Sequence, residues 1–165
     1  MKNFRFYSLW LVAIGLLLSV TALAQSTPYS TPNFSATFTG PVATSTDTNP
    51  TNTTYNYKSS TQNVSQSVFV RIVDHDIAVN HESSNFYANN DSTGGTMSDV
   101  KQDYYQGHPF TYSCHTYDVG GVSWTKRTRY IIVNARTVIF IWQISLAAYN
   151  DTPEWTAFEN SLVIK

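Results

Sequence analysis

The chain has few of the residues on which several common mechanisms depend. Its 165 residues include a single cysteine, Cys114, so the protein cannot form an intrachain disulfide. Charged residues make up 13% of the sequence, and its lysines and arginines form no long run. Because nucleic-acid binding relies on clustered Lys and Arg, this composition argues against a nucleic-acid partner. Because no intrachain disulfide can form, the fold must be stabilised by an apolar core, which the aromatic content of 15% makes feasible.

Motifs of the common enzyme classes are also missing. The sequence contains no Gly-x-Ser-x-Gly, no His-Glu-x-x-His and no glycine-rich phosphate loop before a helix. Cys114 and His115 are adjacent on a predicted strand, so their side chains point to opposite faces and cannot form a thiol–imidazole pair. Cys114 is predicted to be a buried core residue. The sequence thus predicts no catalytic residue and no cofactor and favours a non-enzyme, although a triad of scattered residues would leave no motif.

The N-terminus has the pattern of a secretion signal. Lys2 and Arg5 precede an apolar run at residues 9–20, and Ala-Leu-Ala at residues 22–24 is a small-x-small cleavage pattern. The run is shorter than the ~20 residues that a spanning helix needs, which disfavours the alternative of a retained anchor. We therefore predict a signal peptide at residues 1–24, no membrane span after its cleavage, and a secreted or periplasmic protein. Eight basic and eleven acidic residues would remain, a net charge of −3.

Alternation of apolar and polar residues predicts a sheet in the remaining chain. The most apolar strand, at residues 137–146, is predicted to be central, because it has apolar residues on both faces. The segment at residues 54–58 is predicted to be an edge strand, and residues 42–52 before it a loop. The predicted strands are residues 33–38, 54–58, 64–73, 101–105, 109–117, 122–133 and 137–146.

Two helices are expected. Thr152 is a suitable N-cap and Pro153 a suitable first residue for a C-terminal helix, in which Trp155, Phe158 and Leu162 form one apolar stripe. A short helix is predicted at residues 82–90. The predicted fold is α+β: an antiparallel sheet of five to seven strands with the C-terminal helix packed on one face. Its predicted boundaries are a flexible lead-in at residues 25–32 and a single domain at residues 33–165.

Four short stretches carry a resemblance to a known group of proteins. They are Phe34-x-x-x-Phe38-x-Gly40-Pro41, Gln106-Gly107-His108-Pro109, the hairpin RTRYIIVNARTVIFIWQI and the closing PEWTAFENSLVI. In these features the chain resembles small exported bacterial proteins with the fold shared by PsbP and Mog1. The resemblance implies that a basic strand pairs with an apolar one and that the last helix brings Phe158 and Ser161 onto the sheet. It implies an envelope setting and no catalytic residues.

The stretch VDHDIAVNHE at residues 73–82 gathers an unusual number of acidic residues and histidines. Aspartate and histidine are common metal ligands, so Asp74, Asp76 and His81 form a candidate metal site. A folded-back loop would be needed to bring His81 to the two aspartates. The alternative, which we favour, is a strand that runs out into solvent.

The hairpin around Gly120-Gly121 provides a second candidate site. Tyr117 and Trp124 flank this turn and are the aromatic residues we expect to be exposed, and Arg127 and Arg129 follow on the same hairpin. We predict a non-catalytic binding or accessory domain that contacts an envelope protein through a sheet edge or through these four residues. The alternative for the arginines is a solvated face that discourages aggregation. The alternative function is a metal-binding protein or metal-dependent enzyme that uses Asp74, Asp76 and His81.

Overall fold

The computed structural model describes residues 26–90, 96–146 and 153–165, which include ten strands and two helices. The predicted signal peptide and Thr152 lie outside these residues. The elements are β1 (Thr27–Ser30), β2 (Phe34–Phe38), β3 (Ala43–Asn49), β4 (Asn52–Ser60), β5 (Val64–Val73), α1 (His81–Asn89), β6 (Thr96–Tyr105), β7 (His108–Val119), β8 (Val122–Asn134), β9 (Thr137–Leu146), α2 (Pro153–Ser161) and β10 (Val163–Ile164).

Seven strands form one antiparallel sheet in the order β3-β4-β5-β9-β8-β7-β6. The prediction of an α+β fold built on a large antiparallel sheet is confirmed, and so is the central position of β9. The turn between β7 and β8 is also where the sequence places it. Val119 pairs with Val122 across Gly120 and Gly121, whose φ angles of 60° and 79° are in the region that favours glycine.

A smaller sheet of three strands, β1-β2-β10, was not expected from the sequence. Its first strand lies inside the segment predicted to be a flexible lead-in. That prediction failed because the segment is mostly polar, although it contains one aromatic residue, Tyr29, that packs against other rings. Tyr29 stands edge-on to Phe38, with ring centroids 6.3 Å apart, and its ring lies 5.6 Å from that of Tyr57 in the large sheet. These contacts order β1 despite its low content of apolar residues.

One face of the large sheet, the α2 face, is covered by helix α2 and the small sheet. Trp155, Phe158 and Leu162 are all buried, so the predicted apolar stripe is confirmed. Phe158 and Leu162 belong to a core that β2, β5, β8, β9 and α2 build together. The side chains of this core on the large sheet are Val68, Val70, Ile131, Ile139 and Ile141.

The opposite face, the α1 face, is covered only in part. Helix α1 begins at the N-cap Asn80, whose side chain accepts a hydrogen bond of 2.9 Å from the Ser83 amide, and it packs Ala88 against a second core that includes Tyr130 and Phe140. The helix contacts β6, β7 and β8. A helix is about 10–12 Å wide, whereas seven strands span roughly 29 Å, so one helix leaves the β3–β5 side of this face without a helix over it.

In the first half of the large sheet, the structure differs from the strands predicted from the sequence. Residues 43–49, expected within a loop, form β3, so β4 is not an edge strand. The sequence did not predict this strand, because every residue in it is exposed and apolar residues do not alternate along it. Polar contacts hold it instead: the Asn56 side-chain amide donates to Ser45 Oγ at 3.1 Å and to Asp47 Oδ2 at 2.5 Å. Within the described residues, neither helix is long and apolar enough to cross a membrane.

Candidate functional site

The three predicted metal ligands do not converge. Asp76 forms an ion pair with Arg136, with 2.5 Å between Oδ1 and Nε, and the Asp74 backbone carbonyl accepts a hydrogen bond from the same guanidinium. The Asp74 carboxylate lies 2.8 Å from Nδ1 of His75. His81 lies at the start of α1, where its ring stands edge-on to the Tyr104 ring with centroids 4.7 Å apart.

This arrangement gives the VDHDIAVNHE stretch a structural role. The amide of Val73 donates to the Arg136 carbonyl, and the amide of Ile77 donates to the Ala135 carbonyl, each at 2.9 Å. The segment thus runs along the β8–β9 turn and delivers the chain to α1. Among the residues that the structure describes, no group of three or more His, Cys, Asp or Glu side chains could hold a metal ion. The geometry therefore gives the metal hypothesis no support.

The four predicted partner-binding residues lie on opposite faces of the sheet. Tyr117 and Trp124 are cross-strand neighbours on the α1 face, and both are half-buried rather than exposed. Arg127 and Arg129 point to the α2 face, because strand residues alternate between faces. The expectation that Tyr117 and Trp124 are exposed is therefore wrong, and the two arginines do not share a face with them.

The two arginines bind helix α2 instead. Arg129 Nη2 lies 2.7 Å from Glu159 Oε1, in an ion pair whose side chains are 17% and 26% exposed. The Arg127 guanidinium lies over the Trp155 ring, 4.8 Å from its centroid. Both contacts hold the C-terminal helix against β8. The two arginines were predicted to contact an external partner, but in the structure they contact helix α2.

A buried polar row crosses the α1 face next to helix α1. Ser113 Oγ lies 3.2 Å from Nε2 of His115 and 2.5 Å from Oγ1 of Thr128, and the Ser84 and Thr111 hydroxyls are 2.7 Å apart. A serine beside an imidazole can serve as a nucleophile and its base. Here, however, Ser113 is 0% exposed and His115 is 3% exposed, so a substrate has no access to the pair. The row satisfies buried polar groups under the helix.

Cys114 is half-buried on the α2 face, beside Tyr112 and opposite Arg127 on β8, and is not the fully buried core residue that was predicted. Burial is the largest of the effects that raise the pKa of Tyr112 to about 12, and the neighbouring thiol raises this pKa further. The Arg127 charge opposes both effects.

The raised pKa of Tyr112 predicts a loss of stability in alkali. The folded protein holds the phenol proton more tightly than the unfolded chain does, so this contribution is fully present below pH 10.0, the ordinary pKa, and is lost as pH rises to about 12. Urea unfolding across this pH window measures the effect. The Tyr112→Phe variant has no ionisable group at this position and should show a shallower decline. Equal slopes for parent and variant would contradict the assignment.

A groove lies on the α1 face, over β3, β4, β5 and β9. Its volume is about 400 Å³. The large apolar residues that line it are Phe69, Trp142 and Ile144, each of them half-buried. Its polar lining residues include Ser45, Asn56, Lys58, Ser65 and Ser67. A mostly apolar concavity with a few polar groups at its edges is the usual form of a binding site.

Trp142 is the most distinctive residue of this groove. The Lys126 ammonium lies 3.8 Å from the centroid of the Trp142 ring, and the Phe69 ring lies 4.4 Å from it at a tilt of 53°. These neighbours restrict access to the ring faces that a sugar would stack upon. The indole Nε1–H is buried and donates to no acceptor in the part of the chain that the structure describes. The groove therefore offers an apolar wall with polar side chains beside it.

Trp142 and Ile144 share a face with Val138 and Phe140 in the predicted central strand, and alternation alone does not distinguish a groove position from a core position. One signal could have revealed the groove. The helix predicted at residues 82–90 has only nine residues, and one such helix is too narrow to cover a whole face of the predicted sheet. No family model matches the chain, and no curated protein is significantly similar to it.

Proposed function

We propose that the protein is a non-catalytic, exported binding or accessory domain of the cell envelope, and that the groove beside Trp142 is its contact surface. The observation that supports this most is the uncovered side of the α1 face, where Phe69, Trp142 and Ile144 line a groove in an otherwise well-packed sheet. Apolar surface that remains accessible beside polar groups is typical of protein interaction sites. The predicted secretion signal supports the envelope location.

We also propose the PsbP/Mog1-like fold that the sequence suggested. Two contacts support it. The hairpin β8–β9 pairs the strand that carries Lys126, Arg127 and Arg129 with the most apolar strand. The Ser161 hydroxyl at the end of α2 accepts a hydrogen bond of 2.7 Å from the Thr37 amide, next to the buried Phe158.

The partner that suits the groove is a protein segment that inserts an apolar side chain. The wall of the groove is apolar, and Lys58 at its edge suits a partner with an acidic or carbonyl group nearby. Because access to both faces of the Trp142 ring is restricted, stacking on a sugar is disfavoured.

Photo-crosslinking in the native envelope tests this proposal. The photoreactive residue benzoylphenylalanine replaces Lys58 at the groove, Trp124 at the hairpin, or Asn160, which is exposed on helix α2. We expect a discrete adduct from position 58 and none from position 160, because only the former borders the groove. An adduct from position 124 alone would move the surface to the hairpin. Equal labelling at all three positions, or none at any, would contradict a specific binding surface.

A further inference from the structure

Strand β3 is an edge of the large sheet with little of the usual protection against pairing. Its seven residues are all exposed, and among the described elements it pairs with β4 alone. The N–H and C=O groups along its outer side therefore have no strand partner there, and such an edge accepts an extended chain. The strand contains no proline, lysine or arginine, and Asp47 is its only charge.

The other edges of the two sheets differ from β3 in this respect. At the far side of the large sheet, β6 carries Lys101 and Asp103, and its pairing with β7 shifts register between Met97 and Asp99. In the small sheet, β1 contains Pro28, and β10 has two residues only. Charges, prolines, bulges and short length are the devices that prevent edge pairing, so β3 stands out as the open edge.

We infer that β3 pairs with β3 of a second copy of the chain, antiparallel and with the two-fold axis at Thr46. In this register, Thr44 faces Thr48 of the second copy and Ser45 faces Asp47. The two ends pair Ala43 with Asn49. Facing threonines, and a serine hydroxyl facing a carboxylate, are favourable cross-strand pairs, and no two like charges are opposite each other.

The contacts within the chain prepare the strand for this pairing. The Asn56 amide binds both Ser45 and Asp47 on the α1 face, and the Thr48 and Thr53 hydroxyls are 3.4 Å apart. These contacts hold β3 against β4 and use none of the backbone groups on its outer side. The pairing would join two seven-stranded sheets edge to edge, and the two-fold symmetry would place the two grooves on the same face of the combined sheet.

The pairing should be weak in dilute solution. Two seven-residue strands bury far less than the ~1,200 Å² that stable complexes need, so the experiment must trap the dimer rather than isolate it. Cysteine substitution does this, because facing residues of antiparallel strands have Cα atoms about 4.5–5.5 Å apart, within the range of a disulfide. The full chain carries Cys114→Ser throughout, since the native thiol is partly accessible.

Under mild oxidation, Thr46→Cys should form a disulfide-linked dimer at least about tenfold faster than Thr44→Cys or Thr48→Cys alone, because only residue 46 faces itself across the axis. A mixture of Thr44→Cys and Thr48→Cys should form the mixed dimer as fast as Thr46→Cys dimerises. Equal rates for the three single variants, or no dimer from Thr46→Cys and none from the mixture, would overturn the inference. The photo-crosslink at Lys58 reports on the groove separately.

Discussion

Replacing Phe158 by alanine should lower the free energy of unfolding by about 3–5 kcal/mol, which is the range for removing a large buried aromatic side chain. Phe158 is fully buried, and its ring lies 5.1 Å from that of Phe38, so it joins α2 to the small sheet over the α2 face. Truncation to alanine would leave a cavity between α2, the small sheet and the large sheet, and these three cannot all move to fill it. Urea unfolding followed by circular dichroism measures the change.

Asn160→Ala is the matched control for this prediction, because Asn160 is exposed on the same helix. Its effect should stay within about 0.5 kcal/mol, as for most surface substitutions. A Phe158→Ala protein whose stability equals that of Asn160→Ala would show that α2 does not pack on the sheet as described.

Replacing Gln66 by leucine should destabilise the protein by about 1–3 kcal/mol, although leucine is the more apolar residue. Gln66 is fully buried, and its Oε1 accepts hydrogen bonds from the Thr39 amide at 2.8 Å and from the Thr39 hydroxyl at 3.2 Å. Leucine has no acceptor, so both donors of the buried Thr39 would lose this partner. The contact links the end of β2 to β5, and therefore joins the small sheet to the large one.

Gln62→Leu makes the same chemical change at an exposed position four residues earlier. Its effect on the midpoint of thermal unfolding should be much smaller than that of Gln66→Leu. Similar midpoints for the two variants would mean that the Thr39 donors find other acceptors, and the link between the sheets would then need another explanation.

The sequence predicts those parts of the fold whose order comes from apolar burial. Residues 64–73 and 137–146 alternate clearly, and they form β5 and β9 with the predicted bounds. The apolar stripe of α2 is equally clear. β1 is ordered by the contact between Tyr29 and Tyr57, and β3 by side-chain hydrogen bonds from Asn56 in the next strand, so their polar composition makes both look like loops.

The candidate site was harder to predict, because residue type does not reveal which partner a side chain has. Arg127 and Arg129 were predicted to contact an external partner, but they contact α2, whose position follows only from the folded chain. One error was avoidable. Trp124 and Arg127 are an odd number of residues apart on one strand, so alternation alone places them on opposite faces. The groove at Trp142 depends on which strands α1 covers, and that is a tertiary property.

Nuclear magnetic resonance of the indole N–H groups tests the proposed contact surface most directly. The predicted mature chain, residues 25–165, contains Trp124, Trp142 and Trp155, whose indole signals can be assigned from single Trp→Phe variants. Addition of a solubilised envelope fraction should shift or broaden the Trp142 signal, because Trp142 lines the groove and a bound partner would change the surroundings of its ring. The signal of the buried Trp155 should not change. A change at Trp124 with none at Trp142 would contradict the groove as the binding surface.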